Sequence, residues 1–285
     1  MSEGRDLFWT TRDGLRLHGC EYRPEADDGR APVICLHGLT RNAREFGELA
    51  PWLAVQGRRV LALDMRGRGL SDRDPQARYT LPAYADDVVR LLDGEGIARA
   101  LFVGTSMGGL VTMELAAGRP DLVAGAVVND VGPVLGEAGL TRIAAYVGKP
   151  VRIETWDDAA GYVRWQNEAA FPHYRNDDWA RMARRMFHER EEGVAPDYDP
   201  AIARPNVEGG IPREPWSAWR ALVAAGPVLL LRGALSDLLE PGVAAKMAAG
   251  ARSVTLVEVP GVGHAPMLDE PAAREAIARF LAEAG

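Results

Sequence analysis

The sequence predicts an α/β fold: a mostly parallel eight-stranded sheet with an antiparallel N-terminal strand, helices on both faces, and a helical cap inserted late in the chain. Three observations predict it. From Leu7 to about Pro133, short apolar or β-branched runs alternate with helix-length amphipathic stretches, the pattern of a parallel sheet with crossover helices. Between Pro133 and about Pro215 that rhythm stops, and the chain becomes helix-rich and aromatic, with Tyr146, Trp156, Tyr162, Trp165, Phe171, Tyr174, Trp179 and Phe187 and no convincing buried strand. The alternation then resumes and continues to the last helix. Residues 1–132 and 216–285 are therefore expected to form one core domain, and 133–215 an inserted helical cap.

Taken in order, "LFWTT" and "LRLHGCEY" meet at Asp13-Gly14, a hairpin turn signal, so the first two strands should be antiparallel. "APVICLHG" is a continuous apolar run ending at glycine, as a strand buried on both faces would be. A helix near Arg44 to Gln56, the strand "RVLALDM", a helix near Leu81 to Asp93 and the strand "ALFVG" follow. A helix from about Ser106 to Ala117 leads to "VAGAVVND". After the insertion come "GPVLLLRG", a helix near Gly242 to Ala249, "SVTLVEVPG" and a final helix from Glu270 to Ala284, with Pro271 suited to its first turn.

Composition narrows the function. Of 285 residues, 47% are hydrophobic and 26% charged, the profile of an ordinary globular chain long enough for a sizeable core. A net charge of −7 argues against a nucleic-acid surface, which needs clustered cations to displace counterions. The expected partner is a small-molecule substrate, with no nucleic acid and no membrane; a homodimer is the one further assembly considered. Cys20 and Cys35 lie in strand-like runs and read as reduced thiols. The N-terminal stretch carries acidic residues and no signal-peptide core, and no apolar run reaches membrane-spanning length, so a cytoplasmic location is expected.

The chain has six serines, and one stands between glycines where a strand turns into a helix. Gly104-Thr105-Ser106-Met107-Gly108 matches the G-x-S-x-G nucleophile elbow in the strand-turn-helix context the motif requires. A serine on so tight a turn adopts a strained backbone and projects its hydroxyl out of the sheet, and side chains at 104 or 108 would strike neighbouring backbone. The helix start also leaves the Met107 N–H free to meet an oxyanion. The competing reading is a structural turn whose serine caps the helix.

A serine hydroxyl needs a base and a group that orients the base. Of the five histidines, His264 lies in "PGVGHAPMLDEP", a glycine-rich loop between the last strand and the last helix that can reach over the sheet's C-terminal edge. His18 is in an early strand, His173 and His188 are in the insertion, and His37 follows the third strand, where it reads as structural. The orienting acid is expected to be Asp237 in "LLLRGALSDLLEP". Asp130 in "VVNDVGP" is the alternative, though a turn-stabilising role is preferred for it. The chain order Ser106, Asp237, His264 is then nucleophile, acid, base. Leu39, in "HGLTRN", is expected to supply the second oxyanion N–H. Arg41, Tyr146, Trp165 and His173 are candidate substrate contacts.

These residues resemble the α/β-hydrolase family in its lid-bearing branch. The resemblance spans most of the chain: "HGLT", "DMRGRGLSD", "GTSMGG", "GALSD" and "GHAPMLDEP". It implies a serine hydrolase working through an acyl-enzyme, with neither metal nor organic cofactor. Related haloalkane dehalogenases and epoxide hydrolases use an aspartate nucleophile, which Ser106 disfavours. Related meta-cleavage C–C hydrolases keep the serine triad, but the glycine-proline continuation of their His-Gly pair is absent here. The expected reaction is hydrolysis of a carboxylic ester or lactone of a small, partly apolar substrate. The alternatives are C–C cleavage of a vinylogous diketone, and a sensor that binds ligand without turnover. Dinucleotide and P-loop patterns fail: Asp72 stands where a dinucleotide loop wants glycine, and Pro150 follows Gly148-Lys149.

Overall fold

A computed structural model of the protein describes residues 4–26, 29–204, 214, 216–249 and 252–283. Strands β1 (Arg5–Thr10) and β2 (Arg16–Tyr22) form the expected hairpin, followed by β3 (Val33–Leu36), helix α1 (Leu49–Val55) and β4 (Val60–Asp64). Then come α2 (Leu81–Gly94), β5 (Ala100–Thr105), α3 (Met107–Gly118) and β6 (Val123–Asn129). The stretch that follows holds α4 (Glu137–Ala144), α5 (Trp156–Asn167), α6 (Asn176–Met186) and a small hairpin, β7 (Phe187–Arg190) with β8 (Gly193–Pro196). The chain closes with α7 (Trp216–Ala225), β9 (Val228–Gly233), α8 (Pro241–Ala248), β10 (Val254–Val259) and α9 (Pro271–Glu283).

The main sheet has eight strands in the order β1-β2-β4-β3-β5-β6-β9-β10. Only β2 runs against its neighbours; β4, β3, β5, β6, β9 and β10 pair in parallel. The central strands are apolar throughout because both faces are covered, and alternate residues feed two separate cores. Ile34, Leu36, Phe102 and Leu230 pack with α2, α3, α7 and α8 on one face; Val33, Cys35, Leu101 and Val103 pack with α1 and α9 on the other.

Local chemistry sets the element ends. Thr80 caps α2 by accepting the Ala83 N–H, and Thr155 with Asp158 closes a capping box on α5. The expected helix over 44–56 divides at Gly47 into a 3-10 turn (Ala43–Phe46), capped by Asn42, and α1. The β7–β8 hairpin adds two short strands to the segment expected to be helix-rich. Its strands are short and half-exposed and carry no apolar run for periodicity to register. The boundary expected at 215 lies outside the described residues. Cys20 and Cys35 are free thiols on strands separated by β4, each opposite Ala62, too far apart to be bridged.

Parallel register does the positioning. Gly104 lies opposite Leu36, and Thr105 opposite Asn129, which in turn faces Leu231. The residues just past these pairs, Ser106, His37 and Asp130, therefore emerge side by side at the C-terminal edge of the sheet, where open α/β folds place their sites.

The glycines at the β5–α3 corner have a steric cause. A Cβ on Gly108 would stand 2.0 Å from the Leu36 carbonyl oxygen, and one on Gly104 would stand 2.5 Å from the Gly108 backbone. Gly108→Ala is accordingly expected to separate α3 from β3 and lower stability by several kcal/mol, about the scale of severe overpacking. A melting temperature within a few degrees of the parent's would contradict this.

Candidate active site

Ser106 sits at φ +50° and ψ −113°, between the last residue of β5 and the first of α3. This is a backbone region that non-glycine residues occupy only where the surroundings enforce it. The enforcement is visible: the Ser106 N–H donates to the Asn129 carbonyl (2.9 Å), and its own carbonyl accepts from Gly109 N–H (2.9 Å). The expected strain is therefore real, and it turns the hydroxyl toward the loop that follows β10.

That loop delivers His264. Its Nε2 lies 2.9 Å from Ser106 Oγ, and its Nδ1 lies 2.9 Å from Asp130 Oδ2. The ring is 8% exposed and the aspartate wholly buried, so water competes weakly for either bond. Asn129 steadies the same loop by donating from Nδ2 to the Pro266 carbonyl (2.8 Å). Ser106 and His264 come together as expected.

The acid is where the structure corrects the expectation. Asp237 does not meet His264; its carboxylate is gripped by Arg142 of α4, with Nε–Oδ2 and Nη2–Oδ1 both at 2.7 Å. Burial works against its ionisation, but the Arg142 guanidinium outweighs that and holds the carboxyl below the ordinary aspartate range. Asp130, the alternative acid, occupies the position instead. It too has a left-handed backbone (φ +57°), and three donors converge on it: His264, the Gly233 N–H (2.9 Å to Oδ1) and the Ser236 hydroxyl (2.7 Å to Oδ2). Ser236, one residue before Asp237, thus supports the rival carboxylate.

The loop after β3 faces the serine from the other side. His37 is fully buried, donates from Nδ1 to the Gly38 carbonyl (2.7 Å) and accepts the Met65 N–H at Nε2 (3.1 Å). Burial, aided by nearby Arg68, pushes its pKa down to about 4, so it is a neutral structural ring. Glu45 accepts the Gly38 N–H (2.9 Å). Arg68, buried to 1% exposure, donates from Nε to the Leu39 carbonyl (3.0 Å) and from Nη1 to Tyr84 Oη (2.7 Å), with Nη2 3.5 Å from Met107 Sδ. It therefore ties Leu39 and Met107, the two residues expected to offer oxyanion amides, to a single rigid group. Neither amide has an acceptor among the described residues. Arg68 was not singled out in the sequence, although it lies in the "DMRGRGLSD" run.

The cleft at Ser106 is lined by Leu39, Arg41, Arg142, Ile143, Tyr146 and His264, among others. Arg41 and Tyr146 are thus where substrate contacts were expected. Trp165 and His173 are not: Trp165 is 58% exposed and packs on Tyr162, and His173 is exposed beside Gly261. Arg142 is the charged lining residue that sequence reasoning missed, along with the uncharged Ile143, Asn167 and Met186. Two larger cavities, about 510 and 530 Å³, include neither Ser106 nor His264. No helix of the described residues is long and apolar enough to cross a membrane.

Comparison with known proteins agrees with this fold. Residues 33–277 match the model of the alpha/beta hydrolase family. The chain is similar to a 3-hydroxybutyrate-oligomer hydrolase of Cupriavidus necator, 36% identical over 266 residues that cover 90% of each protein. It is also similar to a 2-(acetamidomethylene)succinate hydrolase of Mesorhizobium japonicum, at 28% identity over 84% of this chain and 83% of that one. Among solved structures, an alpha/beta hydrolase from Novosphingobium aromaticivorans superposes with a TM-score of 0.93 at 44% identity, over the whole of both chains. With a family model matched over most of its length and a relative of this identity matched nearly end to end, the chain belongs to the alpha/beta hydrolase family.

Proposed function

We propose that this hydrolase cleaves carboxylic esters or lactones through an acyl-enzyme on Ser106, with His264 as general base and acid and Asp130 as the orienting carboxylate. The observation that carries the reading is the unbroken relay from Ser106 Oγ through His264 to Asp130, with both links at 2.9 Å. A neutral imidazole with its proton on Nδ1, directed at Asp130, presents the Nε2 lone pair to the serine hydroxyl. As Ser106 attacks the carbonyl, His264 takes its proton and Asp130 stabilises the imidazolium. The carbonyl oxygen becomes an oxyanion against the Leu39 and Met107 amides, donors typically worth about 2.7–4 kcal/mol each. His264 then protonates the leaving alkoxide, and a water activated by the same ring releases the acid.

The bond type has support from the relatives. An oligomer of 3-hydroxybutyrate, the substrate in the name of the Cupriavidus protein, is joined by ester bonds. In this reading the segment 133–215 is the cap, since α4 supplies Arg142 and Ile143, and the turn after it Tyr146, to the cleft wall. The test is a panel of short- and long-chain esters, lactones and a vinylogous diketone. Turnover of lactones, or of esters with a burst of alcohol release, is expected; turnover confined to the diketone would replace the ester reading with C–C hydrolysis.

A further inference from the structure

We propose that Arg142, anchored by Asp237 and set beside Tyr146, reads a carboxylate on the substrate, so that the preferred esters carry a free carboxylate near the scissile bond. The inference rests on the ester reading above and adds the substrate class. The charges around the cleft point to it. Two arginines, Arg41 and Arg142, line the space beside Ser106, and among the described residues no aspartate or glutamate does. Their counter-charges lie behind them: Arg41 Nη1 pairs with buried Glu45 at 3.2 Å, and Arg142 pairs with Asp237. The surface presented to substrate is therefore cationic even though each arginine is compensated.

The fork geometry leaves room for a second anion. A guanidinium has two hydrogen-bonding edges, and Asp237 takes the Nε/Nη2 edge. Nη1 has no hydrogen-bond partner among the described residues, and Nη2 has a second hydrogen, so the Nη1/Nη2 edge can accept a carboxylate end-on while Asp237 stays in place. Holding the long side chain in advance lowers the entropy lost when the ligand arrives. The Tyr146 phenol lies within electrostatic reach of both arginines; burial raises its pKa, so it remains a protonated donor for the same anion. Ile143, Leu39 and Met186 give the otherwise polar wall an apolar strip, which suits a short aliphatic spacer between carboxylate and ester.

The test compares p-nitrophenyl hydrogen adipate with methyl p-nitrophenyl adipate, which share a scissile bond and differ in one charge. The parent enzyme is expected to favour the acid form in kcat/KM by about ten- to a hundredfold, the scale of a charged hydrogen-bonded pair. Added salt should erode that preference. Arg142→Met should bring the ratio to about one or below, and Arg142→Lys should retain part of it. Because Arg142→Met leaves Asp237 unpaired, Arg142→Met/Asp237→Asn is the second variant; its ratio is expected to stay near one. Equal rates on the two substrates in the parent, or a preference preserved in the double variant, would overturn the proposal. In either case turnover of the capped diester with acylation of Ser106 would leave the ester reading intact. Failure to cleave both substrates, with no adduct on Ser106, would remove that reading and the proposal with it.

Discussion

Replacing Ser106 with alanine is expected to lower kcat/KM on any hydrolysed ester by on the order of 10⁶-fold while leaving the fold unchanged, because the acyl-enzyme has no other atom on which to form. The fold should tolerate the change since Ser106 is held by its backbone, through the Asn129 carbonyl and Gly109 N–H, and its hydroxyl contacts His264 alone among the described residues. Alanine also relieves nothing at φ +50°, so the corner remains strained and the melting temperature should move little. Activity reduced less than about a hundredfold would show that another group, or water activated directly by His264, performs the attack.

Asp130→Asn is expected to cost about 10⁴-fold, the size of the loss when a buried triad carboxylate becomes an amide. The amide is neutral, so it cannot stabilise the imidazolium. It also carries an NH₂ group where the carboxylate receives three donors, from His264, Gly233 and Ser236. Ser236 and His264 share Oδ2 while Gly233 donates to Oδ1, so an amide that keeps the Gly233 bond turns its N–H groups toward both Ser236 and His264. In that orientation the ring is driven to the tautomer whose Nε2 carries the proton and cannot accept one from serine. Asp237→Asn disturbs a half-exposed ion pair instead, and on a neutral ester its cost should stay within about tenfold, roughly one positioning contact.

The fold was legible in the sequence because each central strand's continuous apolar run is a local consequence of burial on two faces. Ile34 and Val33 point to opposite cores, and their apolar neighbours say so without any long-range information. The elbow was legible for a similar reason, since Gly104 and Gly108 answer clashes with backbone a few ångströms away. The acid was not. Asp130 and Asp237 both follow strands that end at the same sheet edge, and what separates them is the direction of a side chain. Arg142, 95 residues upstream, claims Asp237, while Gly233 and Ser236 hold Asp130 under His264. Arg68 and Arg142 escaped notice because arginine is the chain's ordinary cation, and only packing distinguishes the few that are buried or aimed at the cleft. Trp165 failed as a contact because an aromatic residue on an amphipathic helix shows that it can pack, and not which face meets the site.

The central claim is that His264 is oriented by Asp130 from β6 and activates Ser106. The most direct test is the rate at which a neutral fluorophosphonate labels the parent, Asp130→Asn and Asp237→Asn proteins, with the adduct located by peptide mass spectrometry. It requires no knowledge of the natural substrate and reads the nucleophile alone. The adduct is expected on Ser106, at similar rates in the parent and Asp237→Asn and at a rate lower by orders of magnitude in Asp130→Asn. Slow labelling of Asp237→Asn with normal labelling of Asp130→Asn, or an adduct on any residue other than Ser106, would contradict it.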